Sequence, residues 1–356
     1  MFIIELLQVA LQRRTALSRS LTEGEWGNLY EVAKKQALLG ITFVAIERLP
    51  VNQRPPRAML VKWGLAANHI QKKNEEQCRK VLRIIQMFQQ DGFRGLVLKG
   101  QGIAQYYKTD NLDGYRTPGD LDLWLDGSRS EVVAYARSRK PGCAVVYHHV
   151  EFPCVDGVEV ELHVTPSWMN NYFVNRALQR YFDGQKLAQF AAEYAQDELP
   201  TPSLGFNRVY ILVHIYRHLF HTGIGFRQML DYYYVLRQGF TEEERAEAMQ
   251  IFASLGMERF VEATMWVLHH VFGLEEQYML TEPNENEGRF LLSEIVLAGN
   301  FGQHDERMMH GKAESEVSWG LRKVKRNLRF IYRYPSEVIW SPLFKVWHYC
   351  WRKKFA

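Results

Sequence analysis

The chain has 356 residues, of which 47% are hydrophobic and 24% charged, an ordinary globular composition that excludes a disordered chain or a fibre. That length predicts about two or three domains. The net charge of +4 is too close to neutral to indicate nucleic-acid binding by itself. The charge is unevenly placed, because ten lysines and arginines against Glu337 alone give residues 320–356 a charge of +9 and leave −5 for the rest.

Neither the cysteines nor the apolar segments indicate secretion or a membrane span. The four cysteines lack CxxC spacing and predict neither a disulfide framework nor a zinc knuckle. The start, MFIIELLQVALQRR, predicts an amphipathic helix rather than a signal peptide, since Glu5 and Gln8 interrupt it and no basic n-region precedes it. No apolar run reaches the roughly 18 residues of a transmembrane segment. We expect a reducing, cytoplasmic location.

Three regions differ in hydrophobic periodicity. Residues 1–90 show apolar residues at helical spacing, interrupted at Pro50 and at the Pro55-Pro56 pair, and predict several helices. Residues 91–170 contain short β-branched runs between turn signals. Residues 171–356 return to helical patterns, which are broken near Pro200, Pro202, Gly223, Pro283 and Pro335.

The middle region predicts four strands. They are Gly95–Lys99, Asp120–Leu125, Ala144–Val150 and Val158–Val164. The Asp156-Gly157 pair is a hairpin signal between the last two strands. Short helices are predicted at Ile103–Lys108 and at Ser128–Arg139.

Acidic side chains share one face of two predicted strands. In GDLDLWLD, Asp120 and Asp122 alternate with leucines, so both carboxylates point to one face, with their Cα atoms roughly 6.6 Å apart. In VEVELHV the same alternation aligns Glu159, Glu161 and His163. Such carboxylates can converge on one or two divalent metals, whereas the competing interpretation is a solvated face of an amphipathic sheet. Aspartate is disfavoured in strands, which favours the metal interpretation.

The residues before the acidic strand are suited to phosphate binding. The segment Lys99-Gly100-Gln101-Gly102 is a glycine-containing turn between a strand and a helix, where backbone N–H groups can face a phosphate. Arg116 lies four residues before Asp120, and its guanidinium can clamp phosphate oxygens. For Lys99 the alternative is a solvated strand end.

The runs LVLKGQGIAQYY, RTPGDLDLWL and VEVELHV together resemble the catalytic core of the polymerase-β-like nucleotidyltransferase superfamily. Within it, the chain is most similar to a bacterial family described as uncharacterised nucleotidyltransferases, over about residues 74–168. It resembles abortive-infection nucleotidyltransferase toxins more distantly. The resemblance implies an α+β fold, in which a small mixed β-sheet nucleotidyltransferase core (91–170) is flanked by an N-terminal helical region (1–90) and a C-terminal helical region (171–356).

The resemblance also implies roles for particular residues. Asp120 and Asp122 would ligate Mg²⁺ or Mn²⁺, and Glu161 would be the third carboxylate and metal ligand, with Glu159 as the alternative in register. The implied nucleotide-binding residues are Lys99, Gly100, Gln101, Gly102 and Arg116. The superfamily has Gly or Ser where this chain has Gln101, so a hydroxyl group for the triphosphate is missing.

The implied reaction is metal-dependent transfer of a nucleoside monophosphate from an NTP to the hydroxyl of an unknown acceptor, which is a small molecule, a protein or RNA. The alternative is a catalytically weakened nucleotide-binding or protein-interaction module on the same fold. Phosphotransfer to a small molecule such as an aminoglycoside or a sugar would use the same core.

Histidines mark the helical region after the core. His214, His218 and His221 share one helix face, and a polar seam is favoured over a metal site because three helical histidines rarely reach one ion. A similar segment recurs in the resembling family, so the candidate acceptor site comprises His163, His214, His218, Arg227 and Asp231. The adjacent pairs His148-His149 and His269-His270 are expected to point to different sides and receive no functional role.

The tail from Trp319 onward interleaves basic residues with apolar and aromatic ones. We favour a helical pair with a basic outer face and aromatic contacts to the body. The alternative is a surface for an acidic partner, either a membrane with anionic lipid or a nucleic-acid acceptor. Salt dependence of binding would separate electrostatic attachment from packing.

Overall fold

The computed structural model describes residues 1–195, 198–303, 305, 307 and 316–354, with the backbone alone for 316–321. Its strands are β1 Gly95–Val97, β2 Leu121–Leu125, β3 His149–Val155 and β4 Val158–His163. Its helices are α1 Phe2–Ala10, α2 Glu23–Lys35, α3 Leu39–Arg48, α4 Arg57–Gln90, α5 Gln101–Ala104, α6 Arg129–Arg139, α7 Tyr172–Ala191, α8 Leu204–His221, α9 Phe226–Leu236, α10 Glu242–Ser254, α11 Glu258–Phe272, α12 Glu285–Ala298, α13 Glu316–Leu328 and α14 Pro335–Arg352. A small mixed sheet among helices confirms the predicted α+β class, and the division into three regions stays a prediction.

Local sequence signals explain where several elements begin and end. The predicted helix after the second strand is confirmed as α6, where Ser128 and Glu131 form a capping box. The hairpin between β3 and β4 turns at Asp156 and Gly157, whose φ angles of 52° and 79° suit a tight turn. Helix α4 starts directly after the Pro55-Pro56 pair, because proline is readily accommodated just before a helix, where its missing N–H is not needed.

The strands form one sheet in the order β1-β2-β4-β3. Strand β1 pairs with β2 and β3 pairs with β4 in antiparallel fashion, whereas β2 and β4 run parallel in the centre. Helix α6 lies between β2 and β3 in the chain. This order places the two acidic strands side by side.

The third strand lies five residues later than predicted. It begins at His149 rather than at Ala144, because the N–H of Val146 bonds the carbonyl of His149 and turns the chain before the strand. Pro153 lies within β3, where it is tolerated because β3 is an edge strand. A proline inside a run argues against a strand in a sequence, which explains the error.

The two faces of the sheet pack against different cores. Leu121, Leu123 and Leu125 of β2 join a core with α4 and α6. On the other face, Trp124 packs against the rings of Phe190 in α7 and Phe206 in α8, at centroid distances of 5.0 and 5.4 Å. The acidic residues of β2 and β4 share this second face, so α8 lies opposite them.

The helix after β1 differs in part from the prediction. Instead of one helix over Ile103–Lys108, a short α5 at Gln101–Ala104 continues as a 3₁₀ turn over Gln105–Asp110. The segment ends at Asn111 in the left-handed conformation. Short helical pieces of this kind commonly adopt 3₁₀ geometry.

The C-terminal helices pack against the body through aromatic contacts, the arrangement favoured for the tail. Tyr147 lies against Trp347 at a centroid distance of 5.7 Å, and its N–H donates to the ring nitrogen of His348. The side chains of residues 319–321 and residues 355–356 of the tail lie outside the described residues. The acidic partner of the tail stays a prediction.

Among the described residues, no helix combines the length and apolarity needed to cross a membrane. The four cysteines are all free thiols.

Candidate functional site

Three carboxylates predicted from the sequence meet on the polar face of the sheet. Asp122 and Glu161 are direct partners in the parallel register of β2 and β4, and Asp120 lies just before β2. One oxygen from each of the three lies within 4.8 Å of the others. Glu159 also lines the same cleft but is not part of this group.

Two cations hold this group of carboxylates. The Nζ atom of Lys99 lies 2.9 Å from Asp122 Oδ2 and 3.7 Å from Asp120 Oδ2. The Nε2 atom of His163 lies 2.9 Å from Asp122 Oδ1 and 3.6 Å from Glu161 Oε2. Lys99 follows β1 and His163 ends β4, so the sheet itself places both cations beside the acids.

These groups keep one another ionised. Burial favours a raised pKa for Glu161, but a hydrogen bond with His163 and nearby positive charges outweigh it and lower the pKa to about 2. Burial likewise opposes the charge of His163, yet hydrogen bonds to Asp122 and Glu161 raise its pKa to about 9. The pKa of Lys99 is raised because the charges of Asp122 and Asp120 outweigh burial. At neutral pH, His163 and Lys99 are positive and Glu161 is negative.

His148 and His149 both line the cleft, so the expectation that this pair points to different sides is wrong. His149 begins β3 with its Nδ1 atom 3.1 Å from Glu161 Oε2. His148 precedes the strand, so strand alternation does not apply to it, and its Nε2 atom lies 3.0 Å from His149 Nδ1. Burial, aided by neighbouring histidine charge, lowers the pKa of His149 to about 4 and that of His148 well below its usual value.

The carboxylates open into a cleft of about 530 Å³ between the sheet and the helices opposite it. The sheet supplies the acids, Lys99 and the histidines. Helix α8 supplies His214, Arg217 and His218, the start of α9 supplies Arg227, and the segment after α12 supplies Phe301. This volume falls within the range typical of small-molecule sites.

The Gly100 turn lies at one end of the acidic group. Gly100 has a φ of 63°, a left-handed conformation that favours glycine, and a Cβ at Gly102 would lie 2.7 Å from the carbonyl oxygen of Val97. The side chain of Gln101 is buried and donates to Asn74 Oδ1 at 3.1 Å. It therefore contacts α4, and its predicted role toward the nucleotide stays a prediction.

Arg116 and Asp231 form a buried bidentate ion pair. The Arg116 Nε and Nη2 atoms lie 2.7 and 2.8 Å from the two oxygens of Asp231, and the hydroxyl of Tyr107 donates to Oδ1 at 2.7 Å. Two guanidinium nitrogens are thus already bonded to a carboxylate. The geometry favours a structural role that ties the loop before β2 to α9.

Arg227 has no such carboxylate partner among the described residues. Its Nη1 atom donates to the carbonyl of Thr117 at 3.0 Å, and its Nε atom is buried without a hydrogen bond. Burial, with the nearby charge of Arg116, lowers its pKa to about 10, so the side chain stays positive at neutral pH. A cation of this kind beside Gly119 and Asp120 is suited to a bound anion.

The histidines of α8 form a buried seam. The rings of His214 and His218 lie 4.4 Å apart, and His221 packs against Trp168 at 5.6 Å. Burial lowers the pKa of all three histidines well below the usual value. They belong to no metal-binding group of the described residues, in keeping with a polar seam.

Sequence reasoning missed Arg217 and Phe301 as well as the His148-His149 pair. Arg217 is one residue before His218 and carries no motif of its own. Phe301 has a φ of 51° and its ring lies 4.9 Å from that of His218 and 5.1 Å from the guanidinium of Arg227. A loop far along the chain places it there, and nothing in its local sequence indicates this.

Among the residues that the structure describes, two overlapping groups of side chains can hold a metal ion. The carboxylates Asp120, Asp122 and Glu161 offer the hard oxygen donors that suit Mg²⁺ or Mn²⁺. Glu161 also forms a group with His148, His149 and His163, whose mixed nitrogen and oxygen donors suit transition ions. The side chains present therefore fit the predicted divalent ion.

The sheet, the row of carboxylates and the glycine turn define an α+β protein with an acidic cleft. The chain matches the family described as uncharacterised nucleotidyltransferase over residues 22–273. Because this match covers most of the chain, the protein belongs to that family. The matched region extends beyond the sheet into the helices that precede and follow it. No curated protein and no solved structure matches the chain.

Proposed function

We propose that the protein transfers a nucleoside monophosphate from an NTP to the hydroxyl of an acceptor, with Mg²⁺ or Mn²⁺ held by Asp120, Asp122 and Glu161. The acceptor oxygen bonds the α-phosphorus as the bond to the oxygen of the β-phosphate breaks, so pyrophosphate leaves and the hydroxyl proton passes to solvent. The observation that carries the proposal is the convergence of these three carboxylates at an open cleft beside the Gly100 turn. Membership of a nucleotidyltransferase family supports the same reaction class. Divalent ions bound there would neutralise phosphate charge and favour ionisation of the attacking hydroxyl.

Other groups that line the cleft would bind the nucleotide phosphates and orient the acceptor. Lys99 and Arg227, on either side of Asp120, neutralise phosphate oxygens of the nucleotide. The Gly100 turn lets the backbone approach the phosphates closely. Glu161, on the neighbouring strand, lies where it can accept a hydrogen bond from the acceptor hydroxyl and orient it. Phosphoryl chemistry needs positioning and charge neutralisation more than covalent participation by the protein.

The alternative is a nucleotide-binding module with weakened catalysis. The observation that favours it is the side chain of Gln101, which bonds Asn74 and supplies no hydroxyl group to the cleft. In that case the protein would bind an NTP with a divalent ion and transfer nothing.

The test incubates purified protein with each α-labelled NTP, Mg²⁺ or Mn²⁺ and a cell lysate that supplies acceptors. Wild type should transfer label, and the double variant Asp120→Ala, Asp122→Ala should be at least about a hundredfold slower, because both removed carboxylates would hold the divalent ion that neutralises phosphate charge. Equal transfer of label by wild type and the double variant would contradict the proposed mechanism.

A matched pair of variants tests the third carboxylate. Glu161→Gln should abolish most transfer, whereas Glu159→Gln, on the same face of β4 but outside the carboxylate group, should retain it. Binding of NTP without transfer by wild type would instead support the weakened module.

A further inference from the structure

Arg217 differs from most buried arginines of this protein. Among the described residues five arginines are buried, and three of them pair with a carboxylate: Arg116 with Asp231, Arg208 with Glu244 and Arg326 with Asp305. Arg217 and Arg227 have no carboxylate of the described residues within ion-pair distance. These two are also the ones that line the cleft.

The surroundings of Arg217 leave much of its charge uncompensated. Its guanidinium lies 3.9 Å from the ring centre of Trp168, and its Nη2 atom lies 3.1 Å from His218 Nε2. Its Nε atom is buried and makes no hydrogen bond. Burial lowers its pKa to about 10, so the group remains charged at neutral pH. A buried charge of this kind is costly unless an anion completes the site.

Two further hydrogen-bond donors lie near Arg217, within reach of its charge. Both ring nitrogens of His214, one helical turn earlier, are buried without a partner, as is the Nδ1 atom of His148. An imidazole ring carries at least one N–H in either protonation state, so each of the two histidines offers a donor. One guanidinium and two imidazole N–H groups match the several oxygens of a phosphate group.

The two arginines contact different parts of the cleft wall. Arg227 bonds the loop before β2, next to Asp120 and the Gly100 turn, where the proposed function places the nucleotide phosphates. Arg217 lies against Trp168, in the segment that follows β4, and feels the charge of Glu161 more strongly than that of Asp122. In the proposed reaction Glu161 lies at the acceptor side.

We propose that the acceptor is a small phosphorylated molecule whose phosphate group binds Arg217, with His214 and His148 as additional donors. The identification of this bound molecule as the acceptor rests on the proposed function. The anion site itself rests only on Arg217 and its neighbours. Trp168 covers one face of the guanidinium, and the buried Nε atom has no hydrogen-bond partner in the protein.

The test measures binding of two probes by isothermal titration calorimetry, inorganic phosphate and tripolyphosphate with Mg²⁺. Arg217→Gln should weaken phosphate about tenfold or more, the effect of losing a charge-assisted hydrogen bond, and leave tripolyphosphate nearly unchanged. Arg227→Gln should show the reverse pattern. Arg208→Gln, on the same helix but paired with Glu244 outside the cleft, is the control and should change neither affinity.

The two proposals fail in different ways. Unchanged phosphate affinity in Arg217→Gln, or equal weakening of both probes by both cleft variants, overturns the second anion site. If wild type does not bind tripolyphosphate but Arg217→Gln still weakens phosphate binding, the result contradicts only the proposed nucleotidyl transfer. If the glutamine variant does not fold, Arg217→Lys keeps the charge but loses the guanidinium fork, and it should bind phosphate more weakly than wild type.

Discussion

At the scale of single residues, the site separates paired from unpaired charges. Lys99 and His163 are bonded to carboxylates and keep those acids ionised in a buried place. Arg217 and Arg227 face the same cleft, and no carboxylate in the described part of the chain lies within ion-pair distance of either. Buried cations without a carboxylate are costly to the folded state. Their presence is best explained by the anions that the cleft is proposed to bind.

The Arg116–Asp231 pair allows a stability prediction. Asp231→Asn removes the charge opposite a buried guanidinium, so we expect a loss of roughly 3 to 5 kcal/mol in the free energy of unfolding. Tyr107→Phe, which removes only the third hydrogen bond to Asp231, should cost about 1 kcal/mol. Urea unfolding measures both. If Arg116 instead serves mainly the nucleotide, Asp231→Asn will leave stability nearly unchanged and alter NTP affinity.

At the scale of elements, strand alternation made the central part of the site predictable. A period of two placed Asp122 and Glu161 on one face, and the parallel register of β2 and β4 brings them together. The prediction placed the third strand too early in the sequence. Pro153 argues against a strand where β3 lies, and a turn closed by the Val146 N–H precedes β3. That error also hid His148 and His149.

The opposite wall of the cleft could not be predicted from local patterns. Arg217 reaches the cleft because α8 packs on the polar face of the sheet, where Phe206 stacks against Trp124. Phe301 reaches the cleft through a loop about 180 residues away from Asp120 along the chain. No periodicity in a single segment encodes such long-range contacts.

The close approach of α5 to β1 leads to an element-scale prediction. A Cβ at position 102 would lie 2.7 Å from the carbonyl oxygen of Val97 and 2.9 Å from a methyl group of Thr201. Gly102→Ala should therefore lower the free energy of unfolding by roughly 1 to 3 kcal/mol and weaken NTP binding by shifting the Gly100 turn. Thermal unfolding and nucleotide titration provide the two measurements.

A matched substitution controls for the loss of glycine itself. Gly205 lies in the first turn of α8 and a Cβ there would meet no atom within 4 Å. Gly205→Ala should leave stability unchanged or raise it by up to about 1 kcal/mol. Equal effects of the two substitutions would mean that the contact between α5 and β1 has no special importance.

At the scale of the whole molecule, most of the chain is a helical framework that completes a cleft begun by the sheet. One hydrophobic core runs from Ile3 in α1 to Val338 in α14 and includes Trp124 of the sheet. The C-terminal helices join this core near α8, where Arg326 and Asn327 donate to the carbonyls of Leu219 and Phe220. The tail thus supports the helix that carries Arg217.

The docking of α14 has a built-in dependence on pH. Glu337 is buried, and its oxygens accept hydrogen bonds from the N–H groups of Asn170 and Asn171, at 2.8 and 3.3 Å. Burial outweighs these bonds and raises its pKa from 4.5 to about 7. Because the folded state binds this proton more tightly than the unfolded state, the contribution of Glu337 to stability is greatest below pH 4.5. It declines as the pH rises through 7.

Wild type should therefore lose stability between pH 5 and pH 8 more steeply than Glu337→Gln, which has no proton to release at this position. Over this interval wild type should lose on the order of 2 to 3 kcal/mol more of its free energy of unfolding than the variant, since one unit of pKa shift corresponds to roughly 1.4 kcal/mol. Urea unfolding at several pH values measures the free energy of unfolding of both proteins. The change of stability with pH is compared, rather than the absolute stability, because the amide of the variant also changes the hydrogen bonds to Asn170 and Asn171. Parallel pH profiles for the two proteins would show that Glu337 is not protonated in the folded state, and that α14 stays docked by its aromatic contacts alone.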